Sequence, residues 1–130
     1  MVDRRAKLYR RAYRAVLDRH KKNWSHQSCI GFPLFQLLVD QPCVYCGHLG
    51  SNTYRDYGTK GILLSDEVLN INGIDRIDSN EGYTPRNATT CCLYCNRGKN
   101  DRKLDYFLHW VAEVYHKSVK NTHNDLQDII

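Results

Sequence analysis

Two cysteine pairs, Cys43-Val-Tyr-Cys46 and Cys92-Leu-Tyr-Cys95, bracket a stretch in which acid, amide and arginine side chains crowd together. A Cys-x-x-Cys turn points both thiolates at one cation, and two such turns complete a closed tetrahedral site. Four sulfur donors leave no open coordination position, so the pattern predicts a structural Zn2+ bound by Cys43, Cys46, Cys92 and Cys95. Such an ion contributes on the order of 10 kcal/mol to folding. Gly47, directly after the first pair, suits a knuckle whose backbone amides turn toward the sulfurs. Cys91 adjoins a ligand but would break the knuckle spacing, and Cys29 reads as a small buried hydrophobe.

Between and after the knuckles lie the segments NGIDRIDSNEGYTPRN and CCLYCNRGKND. Together with CVYCG they make residues 43–99 resemble the HNH endonucleases, the ββα-metal or His-Me finger family, in the zinc-stapled form of phages, viruses and mobile introns. The resemblance covers the middle half of the chain. It implies an α+β fold in which a β-hairpin and a following helix grip one catalytic divalent ion. Position by position, Asp75 matches the metal-binding aspartate of the hairpin, Asn96 the second ligand on the helix, and Asn87 the asparagine that ties the loop to backbone. Arg76 stands where the family carries its general-base histidine. The G-I-D-R-I-D form is itself a variant met among phage-like members.

The chemistry of these residues leads to the same assignment. Phosphodiester hydrolysis needs a Lewis acid on the phosphate and a base for the attacking water. Mg2+ or Mn2+ keeps several waters and needs only one or two protein oxygens, which Asp75 and the side-chain carbonyl of Asn96 supply. Taken singly, Asp75 reads as a turn acid, Asn96 as a helix cap and Asn87 as an Asx-turn residue. Their joint spacing beside two knuckles favours the metal site. Arginine stays protonated and is a poor base. Arg76 therefore either clamps the scissile phosphate while another group activates water, or yields the role of base to a neighbour in a shifted hairpin register, or marks lost catalysis. Asp78, Tyr83, His48 and His109 are the neighbours that offer a base.

The elements that must hold these residues are legible in outline. Residues 3–22 have apolar residues near a 3.6 period (Leu8, Ala12, Ala15, Leu17, with Tyr9, Tyr13 and Val16) among basic ones, which predicts a helix. Residues 32–43 predict a short helix opened by Pro33 and closed before Pro42, with Leu34, Phe35, Leu37 and Leu38 in the core. Residues 47–61 read as a turn-rich surface insertion, and 62–78 as strands with Asn72-Gly73 as a tight turn. A helix is expected from Cys95. A second places Leu104, Phe107, Leu108, Val111 and Val114 or Tyr115 on one face, as core packing or a dimer seam. The last ten residues are expected to fray. Residues 1–24, 25–103 and 104–130 thus divide into a basic helix, a zinc-stapled core, and a C-terminal helix with tail, all in one domain of 130 residues.

Composition narrows the partners. The net charge of +5 is unevenly spread: residues 1–22 hold nine Lys/Arg against two Asp, and the remainder holds ten against twelve Asp/Glu. Arg4, Arg5, Lys7, Arg10, Arg11 and Arg14 are therefore expected to meet the phosphates of double-stranded DNA, with Arg97 and Lys99 beside the cut. No run approaches a membrane span and no apolar segment follows the first charges, so a cytoplasmic chain, monomer or homodimer, is expected. The combined expectation is a metal-dependent HNH endonuclease of homing or mobile-element type. Its rivals are a catalytically inactive zinc DNA-binding module, an RNA-directed nuclease or toxin, and a protein–protein zinc module using residues 104–115.

Overall fold

A computed structural model describes residues 3–120. Its first element, α1 (Arg4–Trp24), starts where Asp3 accepts hydrogen bonds from the backbone N–H groups of Arg5 and Ala6, satisfying two otherwise free donors. One face of α1 buries Leu8, Tyr9, Ala12, Val16 and His20. Ala15, expected on that face, is exposed and Leu17 only half-buried, because the buried stripe passes through Leu8, Ala12, Val16 and His20 at steps of four. A short helix α2 (Phe32–Val39) follows, with Pro33 in its first turn, and sets Phe35 and Val39 into the core, while Leu37, expected there, is exposed.

Among the described residues, four strands form two separate antiparallel pairs. Strand β1 (Asn52–Tyr57) and β2 (Leu63–Ile71) make a hairpin in the register Asn52↔Ile71, with an irregularity between Arg55 and Tyr57. Strand β3 (Gly73–Arg76) pairs with β4 (Ala88–Cys91), from Gly73↔Cys91 to Arg76↔Ala88. Helix α3 (Leu93–Lys99) follows β4 at once, and β3, β4 and α3 form a ββα unit. Helix α4 (Leu104–Val114) continues as π-helical turns over Tyr115–Lys120.

Three local expectations are corrected. The segment 47–61 is not wholly an insertion, since Asn52–Tyr57 is a paired strand. Asn72-Gly73 is no hairpin turn: β2 and β3 belong to different sheets, and the Asn72 side chain is buried. Its amide donates to Gln41 O at 2.9 Å and His48 O at 2.8 Å and accepts from Ser51, so tertiary hydrogen bonds outcompete local turn formation. On α4 only Phe107 is buried, against the Tyr45 ring; Leu108, Val111, Val114 and Tyr115 are exposed, so most of that stripe is not core. The expected fraying of residues 121–130 lies outside the described residues.

The core joins α1, α2 and the two strand pairs through Leu8, Val16, Ile30, Phe35, Val39, Leu69, Ile71, Ile74 and Tyr83. Asp56, fully buried on β1, pins α1 to the first hairpin by accepting from Arg4 at 2.9 Å, Lys7 at 3.0 Å and Ser65 at 2.6 Å. The far end of α1 holds the loop between β3 and β4. There Trp24 Nε1 donates to Asn80 O, and His20 Nδ1 accepts from Tyr83 N. Gly82 permits this approach, for a Cβ there would lie 2.6 Å from the His20 ring and 2.7 Å from Trp24 Cβ. Among the described residues, no helix is long and apolar enough to cross a membrane.

Candidate active site

The four knuckle cysteines come together as their spacing requires. The Sγ atoms of Cys43, Cys46, Cys92 and Cys95 all lie within 4.8 Å of one another. Sulfurs about 2.3 Å from a tetrahedral zinc lie roughly 3.8 Å apart, inside that limit, and Cys46 Sγ and Cys92 Sγ are 3.6 Å apart. None of the four forms a disulfide. Burial opposes ionisation of Cys43, yet backbone hydrogen bonds from Cys92, Cys46 and Tyr45 hold its thiol below the ordinary value. Cys95 is pushed up by burial and by the neighbouring thiols, the repulsion that a cation among four sulfurs would relieve. Four soft sulfur donors gathered in one closed set fit zinc. Cys91 lies fully buried outside the cluster. Cys29 is half-buried, less covered than expected.

Beside this cluster the ββα unit frames a cavity of about 290 Å³ lined by Asp75 and Arg76 from β3, Tyr83 from the loop, and Asn96 and Arg97 from α3. Asp75 is buried, and its Oδ2 carries two partners: the Tyr45 hydroxyl at 2.9 Å and Lys99 Nζ at 3.2 Å. Its Oδ1 has no protein partner among the described residues. Asn96 stands in the first turn of α3, which begins at Leu93, earlier than the expected Cys95, because Cys92 Sγ accepts from Cys95 N and caps it. The Asn96 side chain is exposed toward the cavity and likewise unpaired.

Arg76 is held on three sides. One terminal nitrogen donates to Ser79 O and, at 3.4 Å, to Glu81 O, and the guanidinium lies 4.3 Å from the Trp24 ring centre. A guanidinium has five N–H donors, so several remain for a ligand in the cavity. Asp78 does not pair with Arg76; it lies beyond β3 and accepts from Asn80 N. Of the four candidate bases, Tyr83 lines the cavity, whereas Asp78, His48 and His109 do not. Two charged lining residues escaped sequence reasoning. Asp101 follows Asn100, whose φ of 50° turns the chain back after α3, and Arg19 comes from the last turns of α1. The KND step after the helix was the available signal for Asp101; nothing local marked Arg19.

Asn87 is 4% exposed and lies outside the cavity lining. Its Oδ1 accepts from Asp78 N at 2.8 Å, and its Nδ2 donates to the carbonyls of Asp78, Glu81 and Gly82 at 2.9, 3.2 and 2.9 Å. One amide thereby closes the whole β3–β4 loop.

The expected basic surface divides. Lys99 is 1% exposed and bound to Asp75 and to Arg76 O, which corrects its assignment as a surface cation. Arg4 and Lys7 hold Asp56, Arg5 reaches Glu67 at 3.4 Å, and Arg11 donates to Arg55 O. Arg10 stacks over Phe32, while Arg14 and Arg97 are exposed.

No family profile matches this sequence. The chain is similar to uncharacterized protein R423 of Acanthamoeba polyphaga mimivirus, 29% identical over 94 residues, covering 70% of this chain and 15% of that protein. It therefore spans a small part of that relative's length. Its fold resembles that of the rare-cutting HNH restriction endonuclease PacI, with a TM-score of 0.52 and 20% identity over 83% of this chain and 79% of the other. The α+β architecture, with a ββα unit beside a four-cysteine cluster, is thus the fold of this chain and is similar to the fold of that endonuclease.

Proposed function

We propose that this chain is a metal-dependent endonuclease that hydrolyses phosphodiester bonds in double-stranded DNA. One observation carries the reading: Asp75 Oδ1 and the Asn96 amide, both unpaired, face one polar cavity built on a ββα unit and rimmed by Arg19, Arg76 and Arg97. Asp75 and Asn96 would hold Mg2+ or Mn2+, which when bound supplies Lewis-acid polarisation of the phosphoryl group. Arg76 donates to a phosphate oxygen and offsets the charge that develops there. Arg19 and Arg97 orient the flanking backbone, and Arg10 and Arg14 extend the contact along α1. Tyr83 and Asp101 are the lining groups besides Asp75 able to move a proton. Asn87 acts at a distance, by fixing the loop that presents Arg76. A homing or mobile-element type of nuclease fits its small size and its resemblance to the HNH endonucleases.

The bonds from Arg76 to Ser79 O and Glu81 O favour a second reading, in which the arginine only braces the loop and the chain binds DNA without cutting it. A supercoiled-plasmid assay with Mg2+ or Mn2+ decides between them. Nicked or linear product is expected from the wild type, and none from Asp75→Ala or Asn96→Ala at matched zinc content. Salt-sensitive DNA binding without product under either ion would overturn the endonuclease reading in favour of the binding module.

A further inference from the structure

A second cavity, of about 190 Å³, opens beside the first and shares Arg19, Ile74 and Asn96 with it. The two differ in chemistry. The first is polar and cationic, whereas the second has the core side chains Val16, Phe35 and Ile71 as its floor and Asn52 and Tyr54 on its rim. Asn52 and Tyr54 are two apart on β1 and so face the same side. Neither the Asn52 amide nor the Tyr54 hydroxyl has a partner among the described residues. On the opposite face of the strand, Thr53 is bonded to Asn70 at 2.7 Å. Asn52 and Tyr54 are thus lining polar groups left without a protein partner, whereas Asn72, also in the lining, is bonded to Gln41, His48 and Ser51.

We propose that this second cavity receives one nucleobase of the strand whose phosphate lies over Asp75. The inference rests on the endonuclease reading for the placement of that phosphate. An apolar floor with an amide and a phenol at its edge suits a flat heterocycle with a polar rim, and suits a phosphate poorly. The volume falls below the range of about 300 Å³ and upward that holds drug-sized ligands, which restricts the occupant to a single ring system. Continuity with the first cavity is what a nucleotide requires, since its base and phosphate are joined through one sugar. The base must leave the duplex stack to enter. A carboxamide pairs in bidentate fashion with adenine, so Asn52 selects adenine at the position next to the cut.

The test combines cut-site sequencing on a randomised duplex with permanganate footprinting of complexes formed without Mg2+ or Mn2+. Wild type is expected to favour adenine at one position beside the cut and to make the opposing thymine reactive. Asn52→Ala should flatten that preference by about 10-fold and suppress the reactive thymine. Asn52→Asp, with only acceptors, should shift the preference toward cytosine. Tyr54→Phe keeps ring and strand and serves as the second variant, with a smaller loss in the same direction. Variants that cut and footprint as the wild type does would overturn the base site and leave the nuclease reading intact. If the wild type binds but cuts nothing, the nuclease reading fails. The footprint then decides alone: a reactive thymine lost in Asn52→Ala supports the base site, and its absence in the wild type sinks it.

Discussion

The Tyr45 hydroxyl donates to Asp75 Oδ2 at 2.9 Å, joining the first cysteine knuckle to the carboxylate of the neighbouring cavity. Lys99, on the helix that grows out of the second knuckle, approaches the same oxygen at 3.2 Å. Each knuckle therefore contributes one side chain that holds Oδ2, and only Oδ1 is left facing the cavity. Burial, with Asp75 next, pushes the Tyr45 phenol well above its usual range, which keeps it a donor.

Removing either partner is expected to destabilise the protein before any chemistry is considered. Lys99→Met leaves a buried carboxylate without its cation and should cost about 3 kcal/mol in urea unfolding. Tyr45→Phe should cost about 1 kcal/mol. Added Mg2+ should recover part of the loss in Lys99→Met, because a divalent ion on Asp75 replaces the missing charge. Stability unchanged in both variants would disprove the shared grip.

Zinc removal should unfold the ββα unit. Stripping the ion with a strong chelator should remove on the order of 10 kcal/mol of stability, seen as collapse of the circular dichroism signal with one zinc released per chain. Cys46→Ser should lower zinc content, while Cys91→Ser should retain it, since Cys91 lies outside the four-sulfur cluster.

Asn87→Ala removes the amide that closes the loop and leaves buried backbone groups unsatisfied. A loss of about 2–3 kcal/mol is expected, with faster hydrogen exchange confined to residues 78–83. Exchange unchanged there would show that α1 alone holds the loop.

Asp56 makes α1 docking pH-dependent. Hydrogen bonds from Ser65 and Lys7, with Arg4 beside them, hold its carboxyl well below the usual carboxylate range. A depressed folded value means that the stabilisation is present above the unfolded value of about 4 and is lost as pH falls below it. Asp56→Asn should lower Tm at neutral pH, and the gap from wild type should shrink on acidification. A gap constant down to the acid transition would refute the pairing.

Tyr83→Phe and Asp101→Asn separate the two lining groups that can move a proton. If one serves as base, its variant should lose about 100-fold or more in the rate of plasmid nicking while DNA affinity is kept. Equal, small effects from both would point to water activated without either.

The four-cysteine cluster was readable from sequence alone because two residues per knuckle and a two-residue gap define the geometry locally. The basic helix was readable for the same reason, since periodicity acts over a few positions, whereas the hairpin was misplaced: the expected turn at Asn72-Gly73 joins strands of two different sheets. Asp75, Asn87 and Asn96 were singled out by resemblance, but their division into cavity-facing and loop-holding groups needed the fold. What only tertiary structure decided are relations across the chain. Lys99 looks like one more basic residue of a helix end, yet it is buried against a carboxylate 24 positions earlier. Arg4 and Lys7 look free, yet a buried aspartate about 50 residues away binds them. Asn72-Gly73 carries the strongest local turn signal, yet the Asn72 amide finds better partners in Gln41, His48 and Ser51. In each case a desolvated polar group must be satisfied by whatever the fold brings near it, and sequence spacing carries no information about that neighbour.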